Sequence, residues 1–288
     1  MRAGLIKLFW FMLLTMVAIL PANAVVIAPQ VSVGLGFEFT SGDYGTATTT
    51  NSVYAPLMID VSTAGGWGVS LDIPYVYQSN TNVIAGQFHQ MQGSQSGMQR
   101  TIAAMGSGGS SRGGGSLRSA SNTDPSKPQS GLGDIALRVG YVLIQETDLV
   151  PQVKPVVSVK FPTADRDRGL GTGEFDEGAS VEISKWFGDW YTYLEPGYMF
   201  QGESADLPLK DYVSCSGGVG YQVTENLQSL AILKGSSALA EGSSSLLEAR
   251  LKLKYQTTLH TGIEGYLAKG IASSSPDFGA GVAVFYNF

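Results

Sequence analysis

The residues that could do chemistry are few. The 288-residue chain has two histidines, His89 and His260, and one cysteine, Cys215. A nucleophilic triad needs a base within hydrogen-bond reach of its nucleophile. His89 falls in a polar stretch without strand or helix pattern, and His260 borders a short turn, so neither is placed to serve one. Arg168-Gly169-Leu170-Gly171-Thr172-Gly173 is glycine-rich. A phosphate cradle, however, needs a strand before it and a helix opening after it, and both flanks read as strands. Asp165, Asp167, Glu174, Asp176 and Glu177 offer oxygen ligands of the kind calcium takes. Interleaved with Arg166 and Arg168, they are read instead as a salt-bridged hairpin loop.

Charges at every second residue are more informative. Glu38, Asp60, Asp72, Asp134, Glu182, Glu195, Glu248 and Glu264 alternate with apolar neighbours, as do Arg138, Lys154, Lys160, Lys234, Arg250, Lys252 and Lys254. Residues two apart share one face of a strand. Eight acids against seven bases on a common face predict an internal ion-pair network rather than a surface of one sign. Either these charges line a solute path or they only fill and stiffen the interior.

The elements that would position them are strands. In Val31, Val33, Leu35, Phe37 and Phe39 the apolar residues take one face, and Ser32, Gly34, Gly36, Glu38 and Thr40 take the other. The same alternation predicts strands at 53–61, 67–77, 135–143, 153–161, 179–183, 192–200, 213–221, 227–235, 247–255, 259–267 and 278–288. Segments of about ten residues suit a tilted strand that crosses a bilayer. A soluble sandwich would alternate too, but it has no reason to sort its connections by parity. Here the short ones (63–66, 145–151, 188–189, 223–226, 257–258) alternate with the longer ones (40–52, 78–130, 162–174, 202–210). The expected fold is all-β: a single antiparallel transmembrane β-barrel of about 12 strands, with short periplasmic turns and longer extracellular loops.

Composition agrees. Glycine is abundant at 37 residues, only 15% of residues are charged, 10% are aromatic, and mean hydropathy is +0.07. A helical membrane protein would be far more apolar, and a disordered chain would lack the aromatics. Arg2 and Lys7, the apolar run 8–20 and Ala22-Asn23-Ala24 read as a cleavable signal peptide over 1–24, leaving 25–288 as the barrel. Its removal makes the formal charge of −6 two units more negative, which excludes nucleic acid as a partner. A lone cysteine makes no internal disulfide. Residues 78–130 lose all alternation to Gly, Ser, Gln and Met, and are expected to form a flexible extracellular loop. That loop is locally basic through Arg100, Arg112, Arg118 and Lys127; it is either a bland insertion or a gating or surface-contact segment.

Trp67, Trp186, Trp190, Tyr141, Tyr221, Tyr255, Tyr286 and Phe288 cluster at strand ends, as headgroup-level aromatics do. Phe288 and Tyr286, following Val284 and Val282 on one face, look like the C-terminal signal read by the barrel-assembly machinery. The expected partners are therefore outer-membrane lipid, that machinery and a small-molecule solute. No cofactor or metal and no enzymatic activity is expected.

Three stretches carry a family resemblance: Ser130-Gly131-Leu132-Gly133-Asp134-Ile135, then Lys160-Phe161-Pro162-Thr163-Ala164-Asp165-Arg166-Asp167-Arg168-Gly169-Leu170-Gly171-Thr172-Gly173, and Ser184-Lys185-Trp186-Phe187-Gly188-Asp189-Trp190. They resemble the strand start, loop and hairpin of the transporter family labelled "MetA-pathway of phenol degradation". Ala164 stands where that family usually has glycine. The resemblance implies an outer-membrane barrel of a Gram-negative-type bacterium that passes small aromatic or hydrophobic solutes. A non-transporting structural or surface-contact barrel is the alternative. The resemblance brings no binding residue with it, and the motif residues read as structural, at the rim and in a turn.

Overall fold

The computed structural model describes residues 29–85, 124–204 and 207–288. The expected signal peptide and most of the 78–130 stretch, His89 included, lie outside the described residues. The strands are β1 (Gln30–Gly42), β2 (Thr50–Ser62), β3 (Trp67–Gln78), β4 (Gln129–Leu132), β5 (Ile135–Tyr141), β6 (Gln152–Phe161), β7 (Asp176–Phe187), β8 (Trp190–Phe200), β9 (Tyr212–Gln222), β10 (Leu227–Ser236), β11 (Leu246–Gln256), β12 (Thr261–Gly270) and β13 (Phe278–Asn287). Every pairing is antiparallel, β3 pairs with both β4 and β5, the other strands pair with their chain neighbours, and β13 closes the sheet on β1.

Strands β4 and β5 are one barrel strand with a bulge. Both pair with β3, yet Tyr75 faces Leu132 whereas Asp72 faces Ala136, so one extra residue sits between them. Gly133 occupies the bulge and its N–H reaches the Pro74 carbonyl at 2.8 Å. The wall is therefore a closed barrel of 12 antiparallel strands. Closure matters physically, because an open sheet edge would leave backbone groups unsatisfied in lipid.

Alternation sets the two faces. Along β1, Leu35 is 58% and Phe37 53% exposed, while Glu38 and Thr40 are buried. The same outward apolar row continues through Leu251, Leu253, Leu267, Val282 and Val284. In water such a surface would be untenable; in lipid it is the wall.

Strand ends differ from the sequence expectation where local pattern is weak. β7 runs well beyond 179–183 in both directions, because Asp176 and Gly178 continue its inward face and Gly188-Asp189 closes a tight hairpin to β8. Gly188 there has φ +62°, which a two-residue hairpin turn requires. Leu143 and Leu259 fall outside strands, in the turns 142–151 and 257–260.

Candidate functional site

All fifteen charged residues singled out by alternation are withdrawn from solvent. Glu38, Asp134, Arg138, Lys154, Lys160, Glu182, Glu195, Lys234, Glu248, Arg250 and Lys252 are buried, and Asp60, Asp72, Lys254 and Glu264 are half-buried. The half-buried four lie on β2, β3, β11 and β12, so the interior is most open on that side.

Pairing follows register. Lys154 faces Glu182, Lys234 faces Glu248, and Lys254 faces Glu264 across neighbouring strands. Lys252 bridges to Glu264 at 2.8 Å, and Arg250 pairs with Glu248. Arg138 reaches past two intervening strands to Glu195 at 2.9 Å, where Ser180 also donates at 2.7 Å. Tyr266 donates to Glu38 at 2.9 Å while Arg250 lies 4.5 Å from its ring centroid. Tyr54 donates to Asp72 at 3.0 Å and Ser70 to Asp60 at 2.6 Å. An acid beside each base is what burial demands, since a charge taken from water without a partner costs several kcal/mol.

The first two family-like stretches, 130–135 and 160–173, meet at the loop end, whereas 184–190 forms the β7–β8 hairpin at the short-turn end. Lys160 is 1% exposed and contacts Asp176 at 2.8 Å, Asp134 at 3.3 Å and the Thr172 hydroxyl at 2.7 Å. Asp134 also accepts the Ala164 N–H at 3.0 Å. Thr163 donates to the Gly133 carbonyl at 2.8 Å and accepts the Ile135 N–H at 2.9 Å, pinning the bulge. Residues 162–175 thus fold back into the barrel. Their apolar tip, Leu170, is buried with Tyr54, Val76 and Ala164. Gly171 has no room for a side chain: a Cβ there would lie 2.6 Å from that of Ala164 and 2.9 Å from both Asp134 carboxylate oxygens. Asp176, weighed from sequence as a calcium ligand, is instead the anion of Lys160. Among the described residues no His, Cys, Asp and Glu group could hold a metal ion.

A second segment closes the mouth. After β3, Val83, Ile84 and Ala85 are buried, and Val83 and Ala85 share an apolar cluster with Tyr44, Met199, Tyr212, Leu239 and Leu246. Ile84 packs with Leu207, Leu209 and Ala240. Burial raises the Tyr44 phenol above its ordinary pKa, and its hydroxyl is held by Thr40 at 2.8 Å. The sequence signal for this segment is slight: three aliphatic residues in a polar stretch.

A third inward cluster joins Tyr191, Leu230 and Ile232 with Trp186 and Tyr193. This corrects the assignment of Trp186 to the headgroup belt. Its ring turns inward, 5.1 Å from Tyr191, while its backbone N–H donates to the Glu146 carboxylate at 2.9 Å. Being at a strand end does not decide which face a residue takes; its parity within β7 does. The outer belt keeps Trp67 against Tyr141, Trp190 against Tyr221, and Tyr286 against Phe288. Tyr54, Tyr266 and Tyr193 also turn inward, as the same period of two dictates. His260 stacks on Tyr286 and its Nδ1 reaches the Asn287 carbonyl at 2.8 Å, a contact tying the β11–β12 turn to the C-terminus. Cys215 is exposed on the outer face of β9.

Comparison with known proteins fits this architecture. A family model described as "Putative MetA-pathway of phenol degradation" matches residues 99–288. No curated protein matches the chain. Among solved structures, the COG4313 outer membrane channel from Pseudomonas putida F1 is similar with a TM-score of 0.64 at 13% identity, covering 94% of this chain and 100% of that one. The KdgM porin in complex with disordered oligogalacturonate gives a TM-score of 0.51 at 11% identity, over 89% of this chain and 99% of that one. At these identities the likeness is one of fold: that of outer-membrane channels and porins.

Proposed function

This chain belongs to the family described as "Putative MetA-pathway of phenol degradation", and we propose from there that it lies in the outer membrane of a Gram-negative-type bacterium and passes small aromatic or hydrophobic solutes passively. One observation carries the solute class: the mouth of a charge-lined barrel is packed with apolar and aromatic side chains, Tyr44, Met199, Tyr212, Leu239 and Leu246. Such a cluster gives an ion nothing in exchange for its hydration, whereas an uncharged ring can be desolvated there at little cost. In this reading the fifteen inward charges line the path below the mouth, with their pairing leaving no strong preference for either ion sign. Phe288 and Tyr286 serve insertion by the barrel-assembly machinery.

The test is swelling of proteoliposomes that hold the refolded mature barrel, compared with a variant lacking residues 91–121. Entry of uncharged, water-soluble aromatic amides in preference to sugars of similar size supports the reading. Equal entry of both refutes the solute class.

The density of the interior favours a second reading, a structural barrel without transport, because Lys160, Lys154 and Glu195 are almost wholly sealed. No swelling by any solute in either folded protein would decide for it.

A further inference from the structure

The segment 79–85 crosses the barrel. In the closed ring of strands, β10 stands diametrically opposite β3, and the side chains that follow β3 pack against β8, β9, β11 and the 237–245 connection. Its start is fastened to the near wall. Ser79 N–H meets the Asn51 carbonyl at 2.8 Å, Thr50 donates to the Asn80 side chain at 2.8 Å, and Asn80 donates to the Thr49 carbonyl at 2.9 Å.

The Thr81 N–H adds a bond to the Pro125 carbonyl at 3.0 Å. The far end is held differently: the Ala85 N–H turns back to the Gln78 side chain at 3.1 Å. Among the described residues, no hydrogen bond ties Val83 or Ile84 to the opposite wall that buries them. Apolar contact alone seats them there. Such contact is non-directional and can be exchanged for contact with another apolar group of similar size. The seat is suited to exchange: Met199 of β8, an unbranched and adaptable side chain, shares the cluster with Tyr44 of the β1–β2 connection, whose hydroxyl is already engaged by Thr40.

We propose that these two adjoining apolar clusters, which meet at Leu239 and Ala240, form the entry site for an uncharged apolar solute of single-ring size, and that Val83 and Ala85 in one and Ile84 in the other occupy it in the solute's place at rest. The fastened start, Ser79 and Asn80, is the hinge, and solute and segment compete for one seat. Bulk supports the size: the three side chains together match a ring bearing a methyl group or two. Chemistry supports the class, since the seat offers aliphatic and aromatic surface. The consequence for transport rests on the channel reading; the competition does not.

The test places a reporter at the seat. In a Cys215→Ser background, Ala85→Cys in the refolded mature barrel is labelled in proteoliposomes with a charged, membrane-impermeant maleimide, with and without toluene. Thr48→Cys, on an exposed loop, is the reference. Labelling of Ala85→Cys is expected to be slow, and to rise at least tenfold with toluene but not with glucose, while Thr48→Cys stays unchanged. Adding Val83→Asp, which puts a charge in the seat, should give fast labelling without toluene. Equal rates at Ala85→Cys with and without toluene, or slow labelling of the Val83→Asp barrel when it migrates as folded protein, overturn the proposal. Toluene uptake by cells carrying the barrel in their outer membrane separates the two readings. Faster uptake without toluene-dependent labelling refutes the competition and keeps the channel. Toluene-dependent labelling without faster uptake keeps the site and refutes the channel.

Discussion

Replacing Lys160 with methionine should be among the most damaging single changes in the wall. The side chain is 1% exposed, and its ammonium serves Asp176 at 2.8 Å, Asp134 at 3.3 Å and Thr172 at 2.7 Å. Methionine keeps most of the bulk, so the loss is electrostatic: two carboxylates, both nearly sealed, lose their shared cation. Breaking a buried pair from one side costs about 3–5 kcal/mol, because the charge left behind loses its cation where water cannot replace it. The Asp134 bond to the Ala164 N–H survives and keeps the loss toward the lower end. Equilibrium urea unfolding of the refolded barrel in lipid vesicles measures this as a lower midpoint at unchanged slope. The triple variant Lys160→Met, Asp134→Asn, Asp176→Asn removes the orphaned charges as well, and should regain most of the loss. A Lys160→Met barrel within about 1 kcal/mol of the parent, the scale of an exposed pair, would refute the argument. So would a triple variant less stable than the single one.

Three further changes probe other parts of the fold. Gly171→Val should displace the 162–175 segment from the mouth, since a Cβ already meets Ala164 and Asp134; a loss of about 1–3 kcal/mol and new protease cleavage within that segment of an intact barrel would show it, and an uncleaved barrel would count against the fit. Tyr266→Phe deprives the buried Glu38 carboxylate of a hydroxyl donor at 2.9 Å and should cost about 1.5–3 kcal/mol in the same unfolding assay. Deleting Phe288, which is mostly exposed at the C-terminus, should lower the amount of barrel assembled in cells severalfold while refolding into detergent stays normal. Impaired refolding in vitro would instead make Phe288 a structural residue.

Period two alone makes much of this protein legible. Because successive side chains on a strand point to opposite faces, Glu38 beside Phe37 and Arg250 beside Leu251 declare which face meets lipid and which is enclosed. The alternation of short and long connections then sorts the two ends of the barrel. Each of these is a property of neighbouring residues, so no knowledge of distant contacts is required. Register is not local in that sense. That Arg138 meets Glu195 across two strands, or that Asp176 serves Lys160 instead of an external cation, depends on how far each strand is staggered against the next. The loops are further still from local control. Leu170, Val83 and Ile84 carry no periodicity, and a lone leucine or a short aliphatic run in polar sequence is as compatible with solvent as with burial. Only the closed barrel, by holding an apolar wall opposite the end of β3 and a carboxylate beneath Gly171, makes their inward folding favourable.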